Sequence, residues 1–191
     1  MSGLPGAGSK IYDRSPYGNH GTITGATWQF NGRLWVHYNT GNDDWVSFGD
    51  KAVLGLVGVD FTILSWNALT DVTAEDPIYT KYYWAADADS QGVQFRHNAG
   101  VLSLILYNNA LGTANHTTNF VNSKWHFAAA TFNNTSKVVV LYGDAGSTST
   151  TLAGSSVAAT TNVAKWGARV GAAGDVVSQC LDGYRGLLCI I

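Results

Sequence analysis

Cleaving a glycosidic bond with carboxylates needs two acids astride it, one to protonate the leaving oxygen and one to act as nucleophile or base. The 191-residue chain holds a single glutamate, Glu75, in Thr73-Ala-Glu-Asp-Pro77, a run that reads as loop. Asp87 and Asp89 would share one face of a strand. They sit, however, in Ala85-Ala-Asp-Ala-Asp-Ser-Gln-Gly92, which reads as a turn. The same Asp-Ala-Asp-Ser-Gln-Gly resembles the first half of a calcium loop, but Asn98 stands where the bidentate glutamate would close it. A solvated turn is the reading adopted. Among His20, His37, His97, His116 and His126 no two have the spacing of a metal pair on one element. No Ser/His/Asp arrangement can be argued, and no glycine-rich phosphate loop joins a strand to a helix. The chain reads as a binding protein and not as an enzyme.

What remains is aromatic and amide surface. Tyr79, Tyr82, Tyr83 and Trp84 cluster just before the Asp87 and Asp89 turn, with Arg96 and His97 on the expected neighbouring strand. Aromatic rings stack on the apolar faces of sugars while Asp, Asn and Arg bond the hydroxyls. Tyr82, Trp84, Asp87, Asp89 and Arg96 are therefore the expected ligand-binding residues. Trp28, Trp45, Trp66 and Trp125 are assigned to the core, and His126 is expected to be a packed or hydrogen-bonded core residue.

The elements that must position these groups are short strands. No segment of useful length has helical periodicity, and 22 glycines break the chain every few positions. Strands are expected at 22–24, 34–38, 45–48, 61–69, 78–84, 93–97, 101–107, 125–132, 138–142, 168–170 and 187–191. Two apolar runs flank Asn133-Asn-Thr-Ser-Lys137, and a second hairpin turns at Asn98-Ala-Gly100. Residues 145–161 are Thr, Ser, Ala and Gly with little bulk and read as a long loop or a solvated edge strand. Many short strands of this kind argue for an all-β antiparallel sandwich. One domain over 1–191 is expected, with 1–10 as a flexible lead.

Charged residues are only 13% of the chain and the formal net charge is −2, without a basic run or an acidic tail, so binding to nucleic acid has no electrostatic basis. No apolar stretch reaches the roughly 20 residues of a membrane helix, and the first ten residues lack signal-peptide character. Cys180 and Cys189 would need a sharp reversal to meet and read as buried free thiols. Asn115-His-Thr and Asn133-Asn-Thr fit the glycosylation sequon.

Several stretches resemble the laminin-G-like, concanavalin A-like jelly-roll family. Ile11-Tyr-Asp-Arg-Ser-Pro-Tyr-Gly-Asn-His-Gly-Thr-Ile-Thr-Gly-Ala-Thr-Trp28 is similar to its opening turn and strand. Asp43-Asp-Trp-Val-Ser-Phe48 and Phe61-Thr-Ile-Leu-Ser-Trp66 are similar to its "DDYV" and "FTISAW" strands. Trp125-His-Phe-Ala128 with Tyr142-Gly-Asp144 resembles its "WHHVA…YxDG" hairpin, and Leu181–Ile191 its closing strand. The resemblance spans nearly the whole chain and implies a jelly roll that recognises glycans or proteins on extracellular or virion surfaces. The Glu-x-Asp-x-Glu motif of the fold's glucanases is absent. The family's structural calcium would use Asp13 and Asn19, while Gly186 occupies the closing strand's acid position. Both terminal strands are short, which implies an unpaired sheet edge open to a homo-oligomer or larger assembly. The expected function is lectin-like recognition of a glycan or protein surface. The alternative is a structural subunit of a virion or extracellular assembly, such as a capsid decoration or fibre protein, with no small-molecule ligand.

Overall fold

The computed structural model describes residues 8–30, 34–38, 44–70, 75–83, 90–108, 111–117, 120, 123–144, 146–152, 154, 156–170, 177–180 and 183–191. Two antiparallel sheets face each other. The first runs in the order β1 (Lys10–Ile11), β2 (Gly21–Thr24), β5 (Trp45–Gly49), β14 (Ala164–Trp166), β7 (Glu75–Tyr83), β8 (Gln91–Asn98), β9 (Val101–Asn108) and β10 (Leu111–Thr117). The second runs β13 (Gly146–Thr151), β12 (Val138–Gly143), β11 (His126–Asn133), β6 (Phe61–Leu69), β17 (Gly183–Ile190), β4 (Leu34–Tyr38) and β3 (Thr27–Phe30). A separate hairpin joins β15 (Ala168–Val170) to β16 (Val177–Cys180). No helix among the described residues is long and apolar enough to cross a membrane.

Strand alternation builds the interior. Val46, Tyr79, Val93, Phe95, Leu102 and Leu104 from the first sheet share one buried cluster with Val36, Ile63, Leu69, Ala128, Ala130 and Leu141 from the second. The β8–β9 hairpin closes through Ala99 (φ 48°) and Gly100 (φ 80°), the two left-handed positions a primed two-residue turn requires. At the β11–β12 turn the Asn133 side-chain oxygen accepts from the Thr135 and Ser136 amides, which pins the loop.

Several expectations need correction. Glu75 opens β7 and is not in a loop; Pro77 sits within the strand at a register shift, which the missing proline N–H permits. Trp66 and Trp125 are 43% and 37% exposed and do not belong to the core. The central strand β6 has apolar side chains on both faces, so its alternation left the inward face undecided. Residues Gly146–Thr151, by contrast, form the solvated edge strand that is one of the two readings of that stretch, β13. The terminal strands lie in different sheets, β1 at an edge and β17 in the interior between β6 and β4. Since β4 pairs only with Gly183–Arg185, the later part of β17 is laddered on the β6 side alone among the described residues. Cys189 is a half-buried free thiol, and the side chain of Cys180 lies outside the described residues.

Polar groups also enter the interior. His97 is fully buried, and neither ring nitrogen has a hydrogen-bond partner among the described residues. Its ring packs edge-on against Phe120 at 4.5 Å, and Phe120 packs edge-on against His126 at 5.0 Å. His126 is packed as expected and bonds Asp144 at 2.5 Å. Burial, followed by the positive charges of Arg185 and His126, holds the His97 imidazole well below the usual histidine range. The unfolded chain therefore takes up this proton near pH 6.5 while the folded one does not. Stability should be level above about pH 7.5 and fall below pH 6.5, by at most about 1.4 kcal/mol per pH unit. Urea titrations at pH 7.5 and pH 5 should differ by about 2 kcal/mol, and His97→Phe should flatten the profile. A profile that keeps its slope in that variant would remove His97 as the cause.

Candidate functional site

Three side chains from three strands meet on the face of the first sheet that points away from the core. Glu75 starts β7. Arg96 lies on β8 opposite Pro77, and its neighbours Phe95 and His97 both point inward, so alternation turns Arg96 outward. Arg169 lies on β15, which runs beside β7: the Gly167 amide donates to Ile78 O at 3.3 Å and the Thr80 hydroxyl to Ala168 O at 2.7 Å.

The glutamate joins the two arginines. Arg96 Nη1 bonds one Glu75 oxygen and Arg169 Nη1 bonds the other at 2.5 Å. Side-chain exposures of 14%, 16% and 15% for Arg96, Glu75 and Arg169 put the group in a recess that still opens to solvent. With both oxygens held by guanidinium N–H groups, Glu75 acts as a brace and not as a proton donor. Two guanidiniums thus share the one Glu75 carboxylate.

Two phenols border this group. Tyr82 on β7 and Tyr107 on β9 stand on either side of Gly92 in the cross-strand row, and with no side chain between them their rings approach to 4.3 Å. Burial raises the Tyr107 hydroxyl above the ordinary tyrosine range, helped by its hydrogen bond with Tyr82 and opposed by the charges of Arg96 and Arg169. Burial likewise lowers Arg96, Tyr107 opposes that shift and the Arg169 charge adds to it. Both arginines and both phenols are thus within one electrostatic neighbourhood.

Among the expected site residues, Tyr82 and Arg96 fall on this one face. Tyr82 is only 1% exposed, however, so it supports Tyr107 from beneath and offers no stacking surface of its own. Trp84, Asp87 and Asp89 lie outside the described residues. A cleft of about 290 Å³ is lined by Tyr83, Gln91, Ala159, Thr160 and Thr161. The sequence reading missed Glu75, Tyr107 and Arg169. Glu75 and Arg169 are 94 residues apart and meet only through the path of β15.

The residues named for calcium do not fit one. The Asp13 carboxylate already accepts from the Ser15 amide and hydroxyl and from the Asn19 amide, closing the opening turn. Gly186 brings no oxygen ligand from its side chain and lies under the Trp125 ring. Among the described residues no three His, Cys, Asp or Glu side chains are grouped to hold a metal ion.

No protein-family model matches the chain, and no curated protein does. Solved structures do. The binding domain of Paraclostridial Mosquitocidal Protein 1 superposes with a TM-score of 0.68 at 14% identity, over 96% of this chain and 46% of that one. The botulinum neurotoxin serotype G binding domain gives 0.65 at 11% identity, over 94% and 44%. The CBM40 of Ruminococcus gnavus IT-sialidase gives 0.58 at 14% identity, over 72% and 77%. The chain spans less than half the length of the two toxin domains. At these identities the likeness is one of fold: an antiparallel β-sandwich shared with binding domains.

Proposed function

We propose that the protein is a non-catalytic recognition module of laminin-G-like, concanavalin A-like type that binds carboxylate-bearing sugars at the Glu75, Arg96 and Arg169 group. The observation that carries this reading is the pair of partly buried guanidiniums braced by one carboxylate, with Tyr107 beside them. A guanidinium pair offers planar, directional N–H groups to a carboxylate, and the recess strengthens them by limiting water. The Tyr83 and Gln91 cleft, with Trp84, Asp87 and Asp89 next to it in sequence, supplies an aromatic, hydroxyl and amide surface for the neutral part of a glycan.

Two structures that contain this fold lend support to a saccharide ligand. A binding domain of botulinum neurotoxin DC, of which this chain spans 48%, is in complex with SialylT, and a leech trans-sialidase, of which it spans 22%, holds 2,7-anhydro-Neu5Ac. Another neurotoxin DC binding domain is in complex with rat synaptotagmin II, so the fold also takes protein partners. Sugars of this class are displayed on cell surfaces, which gives the module an extracellular or virion-surface place of work. The alternative, a structural subunit of an assembly, draws its support from an uncharged aromatic face on the other sheet.

Calorimetry with 3′-sialyllactose and with lactose tests the reading. The acidic sugar should bind the wild type in preference, and Arg96→Ala or Arg169→Ala should each weaken it about 10- to 100-fold, the worth of a charge-assisted hydrogen bond. Equal binding of both sugars would refute the carboxylate preference, and binding of neither would refute the saccharide site.

A further inference from the structure

The outward face of the second sheet carries no charged side chain over five strands. Register and alternation put Ser147, Ser149 and Thr151 of β13, Val138, Val140 and Tyr142 of β12, Phe127, Ala129 and Thr131 of β11, Thr62, Leu64 and Trp66 of β6, and Leu187 and Cys189 of β17 on it. In four of the strands the opposite phase is the covered one: Ile63, Ala128, Ala130, Val139 and Leu141 lie in the core cluster, and Leu188 and Ile190 pack against it, while the edge strand β13 is exposed along most of its length. Solvent-facing sheets normally carry lysine or glutamate to prevent association, and here none is present. Half of the large apolar side chains found exposed among the described residues belong to this face or its rim: Trp66 (43%), Trp125 (37%), Tyr142 (38%), Leu187 (48%) and Ile191 (77%). The acids at the rims are both engaged: Asp144 by His126 and the Phe127 amide, and Asp60 by the Asn133 side chain and the Asn134 amide.

We infer that this face is the contact surface of a two-fold dimer formed with a second copy of the chain. Charge argues for a copy as occupant. Burying the face removes no ion from water, a copy presents the same uncharged surface, and a net charge of −2 gives little mutual repulsion. Shape argues the same way. Large side chains gather at one end, where Phe127, Trp66 and Leu187 form one cross-strand row and Trp125 lies on Gly186 beside them. Two rows along, the face is low over four strands, where Ser149, Val140, Thr131 and Thr62 are aligned, and it rises again only at the chain end, where Ile191 pairs with Thr62. A two-fold axis through the face sets the high row of each copy over the low row of the other, the interlock by which stacked sheets pack about 10 Å apart.

The footprint sets the strength. Five strands about 4.8 Å apart, each contributing about 20 Å of length, cover roughly 500 Å². That is below the ~800 Å² per partner of a standard stable interface, so the dimer should dissociate in the micromolar range. The contact leaves the Glu75, Arg96 and Arg169 group on the opposite sheet open, and each dimer presents two such sites facing away from each other.

Sedimentation velocity of the full chain from about 1 to 500 µM tests this, the range being that of a small interface. The wild type should pass from monomer to dimer across it. Trp66→Lys and Leu187→Lys should each raise the dissociation constant about 30-fold or more, as for a central interface residue. Both positions are nearly half exposed, and unchanged far-UV circular dichroism will show that the variants fold. A wild type still monomeric at the highest concentration would overturn the inference. So would a dimer indifferent to both substitutions, or a monomer that instead binds a neutral polysaccharide such as laminarin and loses it in Trp66→Lys.

Discussion

Arg185→Met is expected to destabilise the protein by about 3–5 kcal/mol, the cost of removing one partner from a buried charged network. Arg185 is wholly buried in β17, at the heart of the second sheet. Its Nη1 donates to Asn67 on the adjacent strand, and its Nη2 crosses the sandwich to Pro77 O on β7 at 3.1 Å. The guanidinium thus ties the two sheets at the register shift from which Glu75 emerges. Burial lowers its pKa to about 10, and its electrostatic interactions with Tyr38 and Asp76 oppose that shift, so the arginine stays ionised at neutral pH. Methionine matches the apolar stem but leaves the Asn67 and Pro77 oxygens without this donor and Asp76 without this cation. The measurement is a urea double-mutant cycle with Asp76→Asn. The double variant should recover at least about 1 kcal/mol relative to the sum of the single changes. Additive effects, or a loss below about 1 kcal/mol for Arg185→Met, would show that the cross-sheet tie does not hold the sandwich together.

Gly92→Ala should cost about as much, by a different route. Gly92 has φ 111°, a backbone conformation that disfavours any β-carbon, and a β-carbon there would collide with the Lys81 carbonyl oxygen and approach Tyr82 Cα at 2.9 Å. Both obstacles are backbone atoms of a central strand and cannot swing aside. We expect a loss of about 3 kcal/mol or more, with the melting temperature lowered by about 10 °C for a chain of this size. Gly18→Ala is the control, since Gly18 also has positive φ (62°) but open space around it, and only the strain of about 1 kcal/mol should appear. Equal losses at the two positions would mean that conformation, and not the collision, sets the cost. Gly92 also lets the Tyr82 and Tyr107 rings touch, so any folded Gly92→Ala protein should have lost the phenol pair beside Arg96 and Arg169.

The glycine shows how far the chain was legible. Its place in Ser90-Gln-Gly-Val93 reads as the end of a turn, whereas it lies inside β8, because its role depends on which strands flank it. The β8–β9 and β11–β12 hairpins were readable because apolar runs and turn residues adjacent in sequence define them. Strands without that contrast went unread: β10 is Leu-Gly-Thr-Ala-Asn-His-Thr, and β14 is only three residues long and paired by strands far from it in sequence. Trp66 and Trp125 were misplaced for a related reason. Strand periodicity separates two faces but does not label the inner one when both are apolar, and the label comes from the facing sheet.

By itself the sequence determined the all-β class, the two hairpins and the absence of a charge pattern for nucleic acid, since each rests on local contrast or on composition. It also brought Tyr82 and Arg96 into one neighbourhood, because their strands follow one another in the chain and pair. The tertiary structure alone decided that Glu75 is a strand residue gripped by two arginines, that Tyr107 and not Tyr82 stands beside them at the opening, and that one sheet presents an uncharged aromatic face. These depend on contacts between residues far apart in the chain, 94 positions for Glu75 and Arg169, and on which side of each strand the opposite sheet covers. Neither is encoded in any local stretch; both arise only when the two layers close and water is excluded from one face of each.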